Sequence, residues 1–346
     1  MGIKGYKMKI CVYADPHWSQ YSSILRSRGE KYSIRLEGLI ETINWVEEIS
    51  KAHDCDAILC LGDFFDKPYL NAEEITALKE ICWTDINHYF IVGNHEMGSN
   101  DLLYNSTNVF KNDFTIFDKP CKMDFNDIKT QICILPYILE RNRNTIEDYF
   151  GDTTYRRIIF SHNDIKGVQL GLIESQTGFE LSDIGNNCDY FINGHMHNAG
   201  TLFSDSINYF NLGNISGQNF SEDATRYRHC ALILDITEEG VNMDFYENPY
   251  AFNFYKLFED EYKNIDYKNA VVSLKISDNK VEEARKYLSD KTLELRILTE
   301  YEHKESSEEY EEQLSSFDYL DKFVTYVFSN IGNNELISDE LMKVIG

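Results

Sequence analysis

The chain has 346 residues and a mass of 40.4 kDa, enough for one large domain with a smaller appendage. Its 42% hydrophobic and 26% charged residues, with 23 Tyr and 21 Phe, exclude a disordered or fibrous protein. A formal charge of −25 excludes a uniformly basic nucleic-acid surface, so a polyanionic substrate would have to meet a local cationic feature, for which bound metal ions are a candidate.

The opening MGIKGYKMKI lacks the apolar core and cleavage site of a signal peptide. No stretch reaches the roughly 18 apolar residues of a membrane helix, so a soluble, cytoplasmic protein without a membrane partner is expected. Eight cysteines are scattered along the chain with no Cys-x-x-Cys spacing, several inside apolar runs. They read as buried reduced thiols rather than as disulfides or a zinc knuckle.

From Lys9 onward, short apolar runs alternate with segments of helical period, the pattern of a layered α/β domain. The runs are KICVYAD, DAILCLGD, HYFIVGNH, QICILPY, RRIIFSH and DYFINGH. Between the first two, Leu36, Leu39, Ile40, Ile43, Val46 and Ile49 mark one face of a helix. Residues 207–247 carry INYFNLGN, HCALILDI and VNMDFYE between turn-forming residues and read as a second sheet completing the domain.

Asn248 and Pro249 break this pattern, which places a first domain at 1–254. A small α+β capping domain at 255–300 is expected from VVSLKIS, a helix near 280–288 and LELRILT. A helical tail at 301–346 follows, with Phe317, Leu320, Phe323, Val324, Val327, Phe328 and Ile331 at helical spacing. Eleven acidic residues against three lysines make that tail a poor DNA-binding element.

Five of the apolar runs end in side chains able to bind metal: Asp15 with His17, Asp63, Asn94 with His95, His162, and His195 with His197. Five of the nine histidines lie in this set, which a random scatter would not produce. Side chains just past strand ends converge on one edge of an open sheet, where α/β proteins place their sites. In DPH and GHMH the donors stand two apart, so on extended chain they point the same way. In GDFFD a glycine lets the chain turn sharply before Asp63, whose two oxygens suit it to bridge two ions. In GNHE, Asn94 offers a neutral oxygen, and His95 is either a ligand or an acid.

Such mixed ligation favours Mn²⁺, Fe²⁺ or Zn²⁺ over Ca²⁺ or Mg²⁺ alone. Two ions about 3.5–4 Å apart would clamp the attacking and leaving oxygens of a phosphoester. Each motif alone is commonplace as a turn or a satisfied histidine. The weight lies in all five occurring in this order.

The ordered set resembles the calcineurin-like metallophosphoesterase superfamily over residues 9 to about 247. Within it, GDFFD, the Ser161–His162 pair, the acidic chain and the small domain after 255 look most like the SbcD nuclease subunits, including short versions encoded by tailed phages. The resemblance implies a four-layer α-β-β-α sandwich. It implies that Asp15, His17 and His197 hold one metal, that Asn94, His162 and His195 hold the other, and that Asp63 bridges them. His95 would be the catalytic residue rather than a ligand, stabilising the transition state or protonating the departing oxygen.

The usual ion of this family is Mn²⁺, with Mg²⁺ a poorer substitute. The implied activity is 3′-5′ exonuclease on duplex DNA and endonuclease on single strands, in the cytoplasm of a bacterial host if the gene is a phage's. The implied partners are DNA, an SbcC-type coiled-coil ABC ATPase docking on the 317–331 stripe, and a second copy of the chain. The helix face at 34–49 is either part of that pairing surface or core.

Two other readings stand beside this one: a stand-alone phosphoesterase acting on a small phosphodiester, a nucleotide or a phosphoprotein, and a non-catalytic metal-binding scaffold. A scaffold has no evident need for His95. Glu96 stands where most of the family has Asp, which is expected to disturb whatever carboxylate orients His95. Trp18 after His17 is expected to alter a DNA-facing loop. Asp66 reads equally as a support for the site or as a turn cap. Arg26, Arg28, Lys31 and Arg35, and a second cluster of Arg141, Arg143, Arg156 and Arg157, are either phosphate contacts or ordinary solvated charges.

Overall fold

The computed structural model describes residues 6–170, 173–204 and 207–299. The expected tail and its apolar stripe lie outside them. The described residues divide into two compact units, one made of 6–256 with 266–272 and 291–295, the other of 257–265, 273–290 and 296–299.

The first unit is built on two six-stranded sheets. In one, Lys7–Tyr13, Ala57–Cys60, Asn87–Ile91 and Thr115–Phe117 run parallel in that order. Cys230–Thr237 pairs antiparallel with Lys7–Tyr13, and Val241–Glu247 with Cys230–Thr237. In the other, Thr130–Leu135, Arg156–Ser161, Tyr190–Asn193 and Ile207–Asn211 are parallel. Cys121–Phe125 and Gly200–Ser204 close its two edges antiparallel.

The six apolar runs are thus split three and three between two sheets instead of lining one. The strands after 207 are divided too, because the hairpin at 230–247 extends the first sheet while 207–211 belongs to the second. The lack of alternation explains why the sequence hides this, since a strand covered on both faces reads apolar throughout and does not reveal its sheet.

The layers follow from which residues each face buries. Between the sheets lie Val12, Leu59, Ile91, Leu232 and Leu234 of one and Ile134, Ile158, Phe160 and Ile192 of the other. Outside the first sheet, the helix Ile34–Ala52 buries Leu36, Leu39, Ile40, Ile43 and Val46 in one cluster with Cys11, Tyr13, Ile58 and Cys60. That face is core, so it is not a surface on which two copies pair. Outside the second sheet, the helices Ile146–Phe150 and Leu181–Asn187 supply Ile146, Phe150 and Ile184 to a cluster with Cys133, Ile159 and Phe191. The architecture is an α-β-β-α sandwich.

The long helix starts where Ser33 accepts a bond from the Leu36 N–H, with Glu37 in the first turn and Lys51 in the last, all favourable to the helix dipole. Asn253–Phe258, Ala270–Lys275 and Glu294–Leu298 form a separate three-stranded sheet. The second unit carries the helix Val281–Leu288 and buries Tyr262, Leu274, Ala284 and Leu288. All eight cysteines are free thiols, but Cys82 is exposed, against the expectation of burial.

Arg35 ties the long helix to the loops at the strand ends. Its guanidinium is buried and donates to the carbonyls of Gly217 (2.6 Å) and Pro16 (3.1 Å) and to Ser216 Oγ (3.3 Å). It is a structural brace and not the phosphate contact considered from sequence. Replacing it with alanine leaves buried acceptors without donors, so Arg35→Ala should lower unfolding stability by about 3 kcal/mol in a urea titration. A midpoint equal to wild type would remove this role.

Candidate metal centre

Four of the donor residues sit on backbone that side chains rarely adopt: Asp15, His17, Asp63 and His195 have φ of 53°, 49°, 48° and 72°. Such conformations persist only where surrounding bonds hold them. Here the loops after the first two strands pair with each other, Asp15 N–H to Gly62 O (3.2 Å), His17 N–H to Asp63 O (3.0 Å) and Trp18 N–H to Phe64 O (2.6 Å). Asn214 donates to the Asp15 carbonyl (2.6 Å), and the His195 N–H donates to the Asp15 carboxylate (3.0 Å). The glycines are spatial requirements as well. A Cβ at Gly93 would overlap the Asp63 carboxylate, and one at Gly62, itself at φ 105°, would come within 2.5 Å of His162 Nδ1.

These loops bring the eight sequence-predicted residues to one place. Asp15, His17 and His197 form one group of donors, and Asp63, His162 and His195 another. Asn94 Oδ1 lies 3.1 Å from His162 Nε2 and 2.9 Å from His195 Nδ1, which puts it with the second group. Asp63 Oδ2 is 3.1 Å from His162 Nε2 and 4.0 Å from His17 Nε2, so it stands between the two.

Three of the four imidazoles turn one nitrogen inward and give the other to an acceptor. His162 Nδ1 donates to the Leu61 carbonyl (2.7 Å), His195 Nε2 to Asp164 (3.0 Å) and His197 Nδ1 to Glu222 (2.9 Å). His17 Nδ1 lies 3.3 Å from Asp66 Oδ1. With the outer nitrogens holding the protons, the inner ones are lone pairs. They face one another and other acceptors: His17 Nε2 is 2.9 Å from His197 Nε2, and Asn94 Oδ1 sits beside two of them. Acceptors brought this close need a cation between them, either a proton or a metal. The donor set therefore fits two divalent ions.

The electrostatics point the same way. Burial alone would lower His162 and His197, yet Asp63 beside His162 and the Glu222 hydrogen bond to His197 push both up to about 9. Asp63 is itself buried, which would raise it, but His162 holds it well below the usual carboxylate range. His17 is lowered, chiefly by its burial.

A family model for calcineurin-like phosphoesterases matches residues 8–199. The chain belongs to that family. The phosphoesterase is therefore metal-dependent, of a family that uses a dinuclear site. No curated protein matches it. Among solved structures it is similar to a dimetal phosphatase from Danio rerio, at 12% identity over 69% of this chain and 99% of that one, TM-score 0.42. It is also similar to an archaeal phosphodiesterase, at 14% over 69% and 100%, TM-score 0.36. A third is the purple acid phosphatase PPD1 of yellow lupin, at 13% over 71% and 52%, TM-score 0.49. No helix among the phosphoesterase's described residues is long and apolar enough to cross a membrane.

Several sequence expectations are corrected by these contacts. Glu96 is fully buried and accepts the N–H groups of Gly93 (2.8 Å) and Phe65 (3.1 Å), so it joins two donor loops and does not orient His95. That task falls to the 66 position: His95 Nδ1 donates to the Asp66 carbonyl (3.1 Å), and the Asp66 carboxylate is 3.8 Å from the same nitrogen. Trp18 does not face a DNA-binding loop. It is fully buried against Phe64 and donates to the Glu74 carbonyl.

Most of the basic residues are engaged within the chain. Arg28 pairs with Glu73 (2.6 Å), Lys31 with Glu80, and Arg143 with Glu140. Arg156 donates to the Thr237 carbonyl (2.8 Å), and Arg157 to Asn187 O (2.9 Å) and Gly151 O (2.6 Å). Arg26, whose Nε donates to Ser23 O, and Arg141 are exposed.

Sequence reasoning missed the outer carboxylates Asp164 and Glu222. Asp164 had a signal in its place two residues after His162. Glu222, 25 residues past its histidine on an irregular loop, had none.

Because His162 and His197 rise to about 9 without metal, both carry protons at neutral pH that a metal must displace. Mn²⁺ affinity should climb as pH rises from 6.5 toward 9. Calorimetry in buffers of different ionisation enthalpy should show proton release on binding at pH 7. Affinity independent of pH, with no protons released, would contradict this electrostatic picture.

Proposed function

We propose that this phosphoesterase is a two-metal DNA nuclease subunit, Mn²⁺-dependent, cutting duplex ends in the 3′ to 5′ sense and nicking single strands. It would work with an SbcC-type ATPase in DNA end processing, recombination or repair. The observation that carries the nucleic-acid reading is aromatic. Each of the first three donor loops continues into an exposed tyrosine: Tyr21 after DPH, Tyr69 after GDFFD and Tyr104 after GNHE, at 68%, 68% and 65% exposure. Tyr21 lines a cavity together with His17, and exposed rings on segments leading away from a phosphate-directed site would serve as stacking platforms for bases, favouring single-stranded or frayed ends without demanding sequence. The motif set and its resemblance to the SbcD subunits support the same reading.

In this scheme Asp15, His17 and His197 hold one ion, Asn94, His162 and His195 the other, and Asp63 lies between. Two divalent cations there would draw the scissile phosphate in and stabilise charge on both the attacking and the leaving oxygen. Buried Glu222 and half-buried Asp164 hold the His197 and His195 rings by hydrogen bonds, and half-buried Asp66 faces His17 Nδ1 at 3.3 Å, so the inner nitrogens are aimed before any substrate arrives. His95 has 43% of its side chain exposed and its Nδ1 proton anchored on the Asp66 carbonyl. Its Nε2 would be left to face the substrate and, when the ring carries a second proton, to hand that proton to the departing 3′-oxygen, leaving the neutral imidazole.

His95→Ser should therefore lower the Mn²⁺-dependent rate on 3′- and 5′-labelled duplexes by about 10²–10⁴-fold while leaving the bound metal unchanged. An unchanged rate, or cleavage that survives EDTA, would contradict the scheme. Hydrolysis of a cyclic dinucleotide or bis-p-nitrophenyl phosphate without any cleavage of DNA would move the assignment to a small-ester phosphodiesterase.

A further inference from the structure

A cavity of about 180 Å³ opens beside the metal centre, with His17 and Asp66 in its lining. The rest of its lining includes Tyr21 and Ser22 just past the DPH motif, Arg35 of the long helix, and Gln218 and Asn219 on the loop that carries Glu222. We infer that this cavity takes the nucleobase of the nucleotide next to the scissile phosphate, an inference that rests on the nuclease reading above.

The walls select the ligand. Arg35 borders the cavity, but its guanidinium is consumed by the carbonyls of Gly217 and Pro16 and by Ser216. Asp66, also in the lining, is a carboxylate that repels anions. A second phosphate is thus disfavoured, and a neutral polar group is favoured. Size gives the next restriction: an engineered cavity of about 150 Å³ accepts benzene, so this one accepts a single planar ring system and not a whole nucleotide.

Chemistry completes the match. Ser22 Oγ accepts the N–H groups of Ile24 (3.2 Å) and Leu25 (2.9 Å), which orients its own O–H as a donor. The Gln218 amide offers a donor and an acceptor on one plane, the pattern that pairs with a base edge. Tyr21, largely exposed, supplies a ring face at the mouth. The Gln218 backbone N–H is tied to Glu222 Oε2 (2.8 Å), and Glu222 Oε1 receives His197 Nδ1, so the base-reading loop and a metal-ligand histidine share one carboxylate. Base recognition and phosphate placement are thereby held in a fixed relation.

The test is calorimetric, on the full chain with Mn²⁺, and uses inorganic phosphate, 2-deoxyribose 5-phosphate and dAMP as probes. Wild type should bind dAMP about tenfold more tightly than the sugar phosphate, within the range one base–aromatic stack contributes. Tyr21→Ala and Gln218→Leu should each reduce that preference, with phosphate affinity unchanged in Gln218→Leu. Equal binding of dAMP and deoxyribose phosphate by wild type would overturn the cavity assignment while leaving the metal centre and the nuclease reading standing. So would a preference undiminished in both variants. Failure of even phosphate to bind would overturn both.

Discussion

The buried carboxylate of Asp63 is the point on which the rest of the site depends. One oxygen receives the His95 backbone N–H (2.9 Å), and the other lies against His162 (3.1 Å) and within 4.0 Å of His17. It therefore stands between the two donor groups and holds the backbone of His95 beside them. The position exists because Gly62 and Gly93 leave room on either side and because the DPH and GDFFD loops hydrogen-bond to each other like short strands. Negative charge at that depth is tolerable only with a cation beside it. Protons on His162 and His197 would supply it without metal, and divalent ions held by the donor groups would replace them.

A second feature is the ring of outer acceptors. Asp66, Asp164, Glu222 and the Leu61 carbonyl each face the outward nitrogen of one histidine. Their work is to set tautomer and direction, so that four lone pairs point inward without help from substrate. Asp66 has two duties, since its carboxylate faces His17 while its carbonyl anchors His95. The orientations of His17 and of His95 are consequently coupled through one residue.

Much of this was legible in the sequence, and the reasons for what was not are physical. The inner donors follow apolar runs at strand ends, so DPH, GDFFD, GNHE, SH and GHMH announced them. The face of the helix at 34–49 was equally plain from its period. The partition into two sheets was hidden because strands buried on both faces carry no alternation to tell one sheet from another. Outer acceptors were hidden because a supporting carboxylate can come from any loop that passes nearby, as Glu222 does. The basic residues misled because a charge in a sequence does not show its partner: Arg35 and Arg157 prove to be buried and to hold backbone carbonyls.

A chain with a charge of −25 that acts on phosphoesters must concentrate cations at one point, and the strand ends do so with metal ligands rather than with arginines. The most direct test is the metal content of the purified chain and of Asp63→Asn after equilibration with Mn²⁺. The wild type should hold two ions per chain, and the variant should lose affinity at both positions together, because Asp63 stands between both donor groups. One ion per wild-type chain, or two held equally well by the variant, would contradict a centre organised around this carboxylate.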